Sequence, residues 1–312
     1  MTNVGPILIT GAGGQVGSAL TRLLRPGSFV ATDRATLNLM NADALRATIR
    51  LMAPRWIVNC AAFTGVDAAE KDESTAFIMN ATIPGILAEE AARLESPIIH
   101  FSTDYVFDGT GTTPWLETDE TNPKSIYGES KLSGDLTLGA TCPAHFILRT
   151  SWVYSGGGKN FIRTIMRLLT TGHEPIRVVA DQHGAPTSAA DLAATVATLI
   201  ARIDSKPMAP WVAGTYNCTG SGETTWAGLA DFVRSHLIAR GITHLPPIVP
   251  VSTAEYRTPA VRPLNSRLCC DKLERDYGIR LPHWTESVPK AIDELIATDL
   301  PHLLHAEHAA PR

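Results

Sequence analysis

The stretch Ile7-Leu-Ile-Thr10, Gly11-Ala-Gly-Gly14-Gln-Val-Gly17, Ser18-Ala-Leu-Thr-Arg-Leu-Leu24 decides how the rest of the chain is read. A short apolar run after Pro6 has the pattern of a buried strand, and the segment after the glycines has helical spacing. The glycines supply a tight turn and let backbone amides approach a pyrophosphate. The helix that follows aims free N–H groups and the positive end of its dipole at phosphate. Strand, glycine turn and helix in this order form a dinucleotide-binding fingerprint, with Gly11, Gly14 and Gly17 flanking the pyrophosphate and Gln15 and Val16 donating amides. A second apolar run, Phe29-Val-Ala-Thr-Asp33, ends in the acid expected on a ribose hydroxyl. Asp33 favours NADH, because a carboxylate repels a 2′-phosphate, whereas the adjacent Arg34 can pair with that phosphate, so NADPH stays open.

Working outward, Ser125-Ile-Tyr-Gly-Glu-Ser-Lys131 places Tyr127 and Lys131 one helical turn apart on one face. An ammonium beside a phenol is expected to lower the phenol from about 10 toward neutrality, so that Tyr127 exchanges a proton with a carbonyl or alcohol near pH 7. In isolation the pair also suits an exposed helix face. The run Ile98-Ile-His-Phe-Ser102-Thr103-Asp104-Tyr105-Val106-Phe107 reads as a strand opening into hydroxyls at its carboxyl end, where open α/β sheets bind ligands. Thr103 can there hydrogen-bond the oxygen that Tyr127 protonates; such clusters also simply end strands and cap helices.

These segments, in this order, resemble the extended short-chain dehydrogenase/reductase superfamily, and more closely its dTDP-4-dehydrorhamnose reductase family. The likeness runs over nearly the whole chain and includes Val58-Asn-Cys-Ala-Ala62, Ser102-Thr-Asp-Tyr-Val-Phe107, Leu148-Arg-Thr-Ser-Trp152, Asp181-Gln-His-Gly-Ala-Pro-Thr187 and Arg262-Pro-Leu-Asn-Ser266. It implies a Rossmann-type doubly wound parallel sheet of strand order 3-2-1-4-5-6, with a smaller, discontinuous α/β substrate lobe. It also implies hydride transfer from NADPH or NADH to the 4-keto carbon of a nucleotide-linked deoxysugar. Tyr127 would protonate the oxygen, Lys131 would reach the nicotinamide ribose, and Thr103 would orient the oxygen. Ala61, Ala62 and Phe63 would pass along the cofactor, and Asn80 matches the superfamily asparagine, with a solvent-facing amide as the alternative. Asp104 would bind sugar hydroxyls, Trp152 would cover one sugar face, and Arg262 with Asn265 would bind substrate, the guanidinium on the diphosphate. Tyr105 stands where the related dehydratases carry a Glu, so the acid pair that eliminates water is missing. The rivals are another nucleotide-sugar reductase or epimerase, and a non-catalytic regulatory subunit of the methionine adenosyltransferase type. Some relatives are magnesium-bridged dimers, but no acidic cluster here supports magnesium and no metal ligand is assigned; whether the chain forms a homodimer stays open.

Bulk composition agrees with a folded enzyme. The chain has 312 residues, 44% hydrophobic and 19% charged, enough to bury a large core. A net charge of −4 with scattered basic residues gives no nucleic-acid footprint. No apolar run reaches membrane-spanning length, and a cytoplasmic location is expected. Five cysteines are too few and too irregular for a disulfide scaffold. His302, His305 and His308 read as a polar tail rather than a metal site.

Strands are expected at 7–10, 28–33, 56–61, 98–102, 145–151 and 215–218. Helices are expected from about Asp67 and over 83–94, 125–138, 160–170, 188–203 and 224–239, with an irregular region from Pro246 to Arg262. The alternation predicts a parallel sheet with right-handed crossovers. The cofactor lobe is expected to span 1–155 plus about 211–240, and the substrate lobe 156–210 and 241–312.

Overall fold

Six of the apolar runs become one parallel sheet in a computed structural model that describes residues 5–205 and 211–299. The strands are β1 (Ile7–Thr10), β2 (Phe29–Thr32), β3 (Trp56–Asn59), β4 (Ile98–Thr103), β5 (His145–Thr150) and β6 (Gly214–Asn217). Period-2 alternation sorts their side chains: Ile7, Ile9, Trp56 and Val58 enter one apolar layer, and Leu8, Ile57 and Ile98 the opposite one. Helix α1 (Gln15–Leu23) covers the first face; α2 (Ala42–Met52), α3 (Ile83–Arg93) and α4 (Ile126–Thr141) cover the second.

The sheet order is β2-β1-β3-β4-β5-β6, which corrects the expected 3-2-1-4-5-6. After β2 the chain turns at once. The Asp33 carboxylate accepts the Ala35 and Thr36 amides, and α2 begins after Asn41. Among the described residues no strand pairs beyond β2, so β2 is the edge and β3 pairs with the other side of β1. The direction of winding therefore reverses between β1 and β3, and ligand crevices open at such switch points.

A second apolar core joins α5 (Phe161–Thr171), α7 (Trp226–Ala239) and α9 (Trp284–Asp299). A strand pair, Ile176–Val179 with Ile248–Val251, supports it. The second of these strands lies in the stretch expected to be irregular. Packing cuts across the expected lobe limits. Helix α6 (Ala189–Asp204) lies on the sheet beside α1, as do Leu273 and Tyr277 of α8 (Asp271–Tyr277), whereas α7 lies in the second core. The 67–94 stretch is also more broken than its periodicity suggests: Val66–Ala69, then Glu73–Phe77, then a π-helical turn Ile78–Thr82 running into α3. The three tail histidines lie outside the described residues.

Candidate active site

Gly11 takes φ +68°, and a Cβ there would meet the Ala61 backbone nitrogen at 2.6 Å, so the β1 turn lies directly on the turn after β3. A Cβ on Gly17 would meet the Gly11 carbonyl at 2.3 Å. Both positions need a bare Cα for the turn to close. Gly14 caps α1 without a side-chain hydrogen bond, and no acid sits in the first turn. The first-turn amides of Gln15 and Val16 consequently have no intrahelical acceptor and point at the crevice with the helix dipole. A cradle that a Cβ would fill and an uncapped helix N-terminus fit a pyrophosphate. The Gln15 side chain does separate work: its Oε1 accepts Ser155 Oγ (2.9 Å) and Asn160 Nδ2 (3.1 Å), fastening the 155–160 loop. Asp33 and Arg34 are exposed at the end of β2. Hydrogen bonds from Thr36 and Ala35 hold the Asp33 carboxyl below its ordinary value, so it carries charge at neutral pH.

Ala61, Ala62 and Phe63 line the third turn. Asn80 is wholly buried, which removes its solvent-facing alternative. Its Oδ1 accepts the Phe63 amide (2.8 Å), and its Nδ2 donates to the Phe63 carbonyl (3.0 Å) and to Ser130 Oγ (3.0 Å). The π turn positions this amide, a common use of such turns, and it pins the cofactor-side loop to α4.

On α4, capped by Ser125 through the Gly128 amide, the Tyr127 phenol meets the Thr103 hydroxyl at the carboxyl end of β4. Burial raises the phenol well above its usual range, with the Thr103 hydrogen bond opposing. The expected lowering by Lys131 is not what this arrangement produces. Lys131 Nζ is bonded to His100 Nε2 (2.9 Å) and the Phe101 carbonyl (2.5 Å). Burial lowers its ammonium to about 8, with Asp135 pulling the other way. Asp135, buried one turn further along α4, accepts Ser102 Oγ at 2.5 Å. His100, Asn59, Ser102 and Asp135 escaped sequence reading, because a histidine in an apolar run looks like core. The one available signal was Asp135 at i+4 from Lys131.

The far side of the hydroxyl pair is built around Asp104. Its Oδ1 accepts Thr103 Oγ1 (3.1 Å), and its buried Oδ2 has no hydrogen-bond partner among the described residues. Burial pushes its carboxyl up to about 6. Tyr105 meets Tyr127 edge to face at 5.5 Å. Arg262 does not stand free: it donates to Asp67 (2.7 Å) and to the Tyr105 hydroxyl (3.3 Å). The Asn265 amide donates to the carbonyls of Thr110 (3.2 Å) and Thr113 (2.8 Å), fastening that loop. Trp152, at the end of β5, holds φ +48° and stacks on Trp226 at 3.6 Å. A left-handed tryptophan is strained and is held only by such packing.

The sequence profile described as the RmlD substrate binding domain matches residues 5–297. A dTDP-4-dehydrorhamnose reductase of Sinorhizobium fredii is 44% identical over 294 residues, 93% of this chain and 97% of its own length. The crystal structure of a dTDP-4-dehydrorhamnose reductase from Clostridium acetobutylicum superposes with a TM-score of 0.84 at 37% identity, covering 93% of this chain and 99% of its own. A dTDP-4-dehydrorhamnose reductase of Bacillus anthracis, solved in complex with NADP, gives 0.83 at 31% identity, covering 94% and 99%.

Proposed function

Because the chain belongs to the RmlD substrate binding domain family, we infer that it reduces the 4-keto group of dTDP-4-dehydro-L-rhamnose to give dTDP-L-rhamnose, a step in making the rhamnose precursor. NADPH or NADH, when bound, supplies the hydride. The observation that carries this reading is the Thr103–Tyr127 hydroxyl pair, set at the carboxyl end of β4 beside the glycine cradle.

Gly11, Gly14 and Gly17 would hold the pyrophosphate with the amides of Gln15 and Val16. Asp33 and Arg34 would meet the adenosine ribose, Ala61, Ala62 and Phe63 would run along the cofactor, and Lys131 would hold the nicotinamide ribose. Tyr127 hands its proton to the sugar oxygen. A phenol held protonated by burial is ready to donate, and Thr103 orients the acceptor. Asp104 would take a sugar hydroxyl, a reading supported by its one unpartnered oxygen. Trp152 offers a ring face, already backed by Trp226, to the sugar. Arg262 would serve the diphosphate while tied to Asp67, and Asn265 would act on substrate through the loop it fastens. The sheet core would carry cofactor and the second core substrate. Five free thiols support a cytoplasmic location.

A coupled assay tests this. NADPH or NADH absorbance is followed with dTDP-4-dehydro-L-rhamnose, and the sugar product is identified. Steady cofactor consumption is expected, with turnover reduced about 10²–10⁴-fold in Tyr127→Phe, the scale for losing a positioned acid. Product formation without net cofactor consumption would instead indicate an epimerase, and an unchanged rate in Tyr127→Phe would remove Tyr127 from the mechanism.

A further inference from the structure

The polar cluster beneath Tyr127 has a proton inventory that its geometry restricts. Asn59 Oδ1 accepts the Thr10 hydroxyl (2.6 Å) and the Ala61 amide (3.2 Å), which orients the side-chain amide. Its Nδ2 therefore faces His100 Nδ1, 2.9 Å away. An amide NH₂ only donates, so Nδ1 is the bare nitrogen of the ring, and a neutral imidazole then carries its hydrogen on Nε2. Nε2 lies 2.9 Å from Lys131 Nζ. Two N–H groups cannot share that contact, so Nζ must present a lone pair while one of its hydrogens goes to the Phe101 carbonyl at 2.5 Å. An imidazolium is no way out, since Nδ1–H would oppose the Asn59 NH₂. Burial also holds His100 well below its ordinary value.

We infer that His100, oriented by Asn59, keeps Lys131 as a neutral amine in this arrangement, and that the lysine becomes an ammonium by taking one proton from solvent when it leaves His100 for a nicotinamide ribose. His100 is thus a positioning residue that acts through Lys131; the inference rests on the dinucleotide reading above. The titratable groups facing Lys131 are few. Tyr127 and Asp135 flank it on α4 and His100 faces it from β4. Arg149 of β5 stands behind, 3.9 Å from Asp135. Asp135 Oδ1 is 3.8 Å from His100 Nε2, beyond hydrogen-bond reach, and Ser102 donates to its other oxygen, Oδ2. Of the shifted groups nearby, Tyr127 stands above its usual range, burial raises Asp135, Asp104 is near 6 and Cys60 near 12, while Lys131 stands near 8 and changes charge at mildly alkaline pH.

The test is calorimetric titration of NADPH into the full chain at about pH 7.5, 8.5 and 9.5, in two buffers of different ionisation enthalpy. The 2′-phosphate is ionised throughout, its second pKa being about 6. Proton uptake should rise across the series toward one proton per NADPH, and affinity should fall by up to about tenfold per pH unit at the alkaline end. His100→Gln offers an oxygen that accepts from an ammonium, so uptake should vanish and affinity should flatten. NADPH binding without buffer-dependent heat at any pH, or uptake that persists in His100→Gln, overturns the inference alone. Absence of binding by both NADPH and NADH overturns it together with the dinucleotide reading, and where only NADH binds the same pH series is run with NADH. The wild-type arm decides even where the variant does not fold.

Discussion

Glu90 and Asp104 are both buried carboxyls, and the chain treats them in opposite ways. Glu90 lies on α3, on the face away from the crevice. Arg50 grips it at 2.7 and 2.6 Å and Arg46 adds a bond at 3.1 Å. Arg50 foremost holds the carboxyl below its ordinary value, although burial pushes upward. Asp104 receives the Ser266 and Thr103 hydroxyls and no cation, and burial raises it to about 6. Away from the crevice a buried charge is compensated by the chain itself. At the crevice it is left without a cation, at a cost to stability.

The largest way to break this comparison is to strand Glu90. Replacing Arg46 and Arg50 together by Met leaves a buried carboxylate without its two main partners; because both guanidiniums are partly exposed, the cost should be about 2–3 kcal/mol, read from urea midpoints. A loss below about 1 kcal/mol would mean that Glu90 never needed them. Next comes Asp104→Asn, with the opposite sign. The folded value of Asp104 lies above the 3.8 of the free side chain. Its favourable contribution is therefore complete below about 3.8 and lost as pH rises through about 6. Removing the charge should raise stability by about 1–3 kcal/mol at pH 8 and hardly at pH 4, while turnover falls. An equal effect at both pH values would show that burial does not penalise this carboxylate. Glu90 has the reverse linkage: its contribution is present above the ordinary carboxyl range and disappears only as pH falls through its lowered value. The smallest effect should come from Arg93→Ala. That side chain is 63% exposed and 3.6 Å from Glu90, so less than about 0.5 kcal/mol is expected in the same melts.

Much of this is legible in the sequence alone. The sheet strands announced themselves as apolar runs, and Gly11 to Gly17, Thr103, Tyr127 and Lys131 fell where local pattern put them, because each belongs to one strand, turn or helix. What was not legible depends on pairing across the chain. The strand order turned on the short Asp33–Asn41 connection, which has no periodicity to read. The π turn shifts Asn80 inward, and period counting assumes a uniform helix. Arg262 and Asn265 read as free ligands, yet Asp67 and the Thr110 and Thr113 carbonyls, distant in sequence, hold their polar ends. His100 sits in a run that signals only core, and its significance comes from Asn59 and Lys131 on other elements.

The alternation of the two apolar cores along the sequence has one more consequence. Val153 packs with the sheet and Tyr154 with the second core; Ala189, Ala227, Leu273 and Trp284 each mark a further exchange. No single peptide bond divides the molecule into a part for one ligand and a part for the other. Neither half can be lifted out as a module, and a graft aimed at a new sugar has to be made loop by loop on the intact chain.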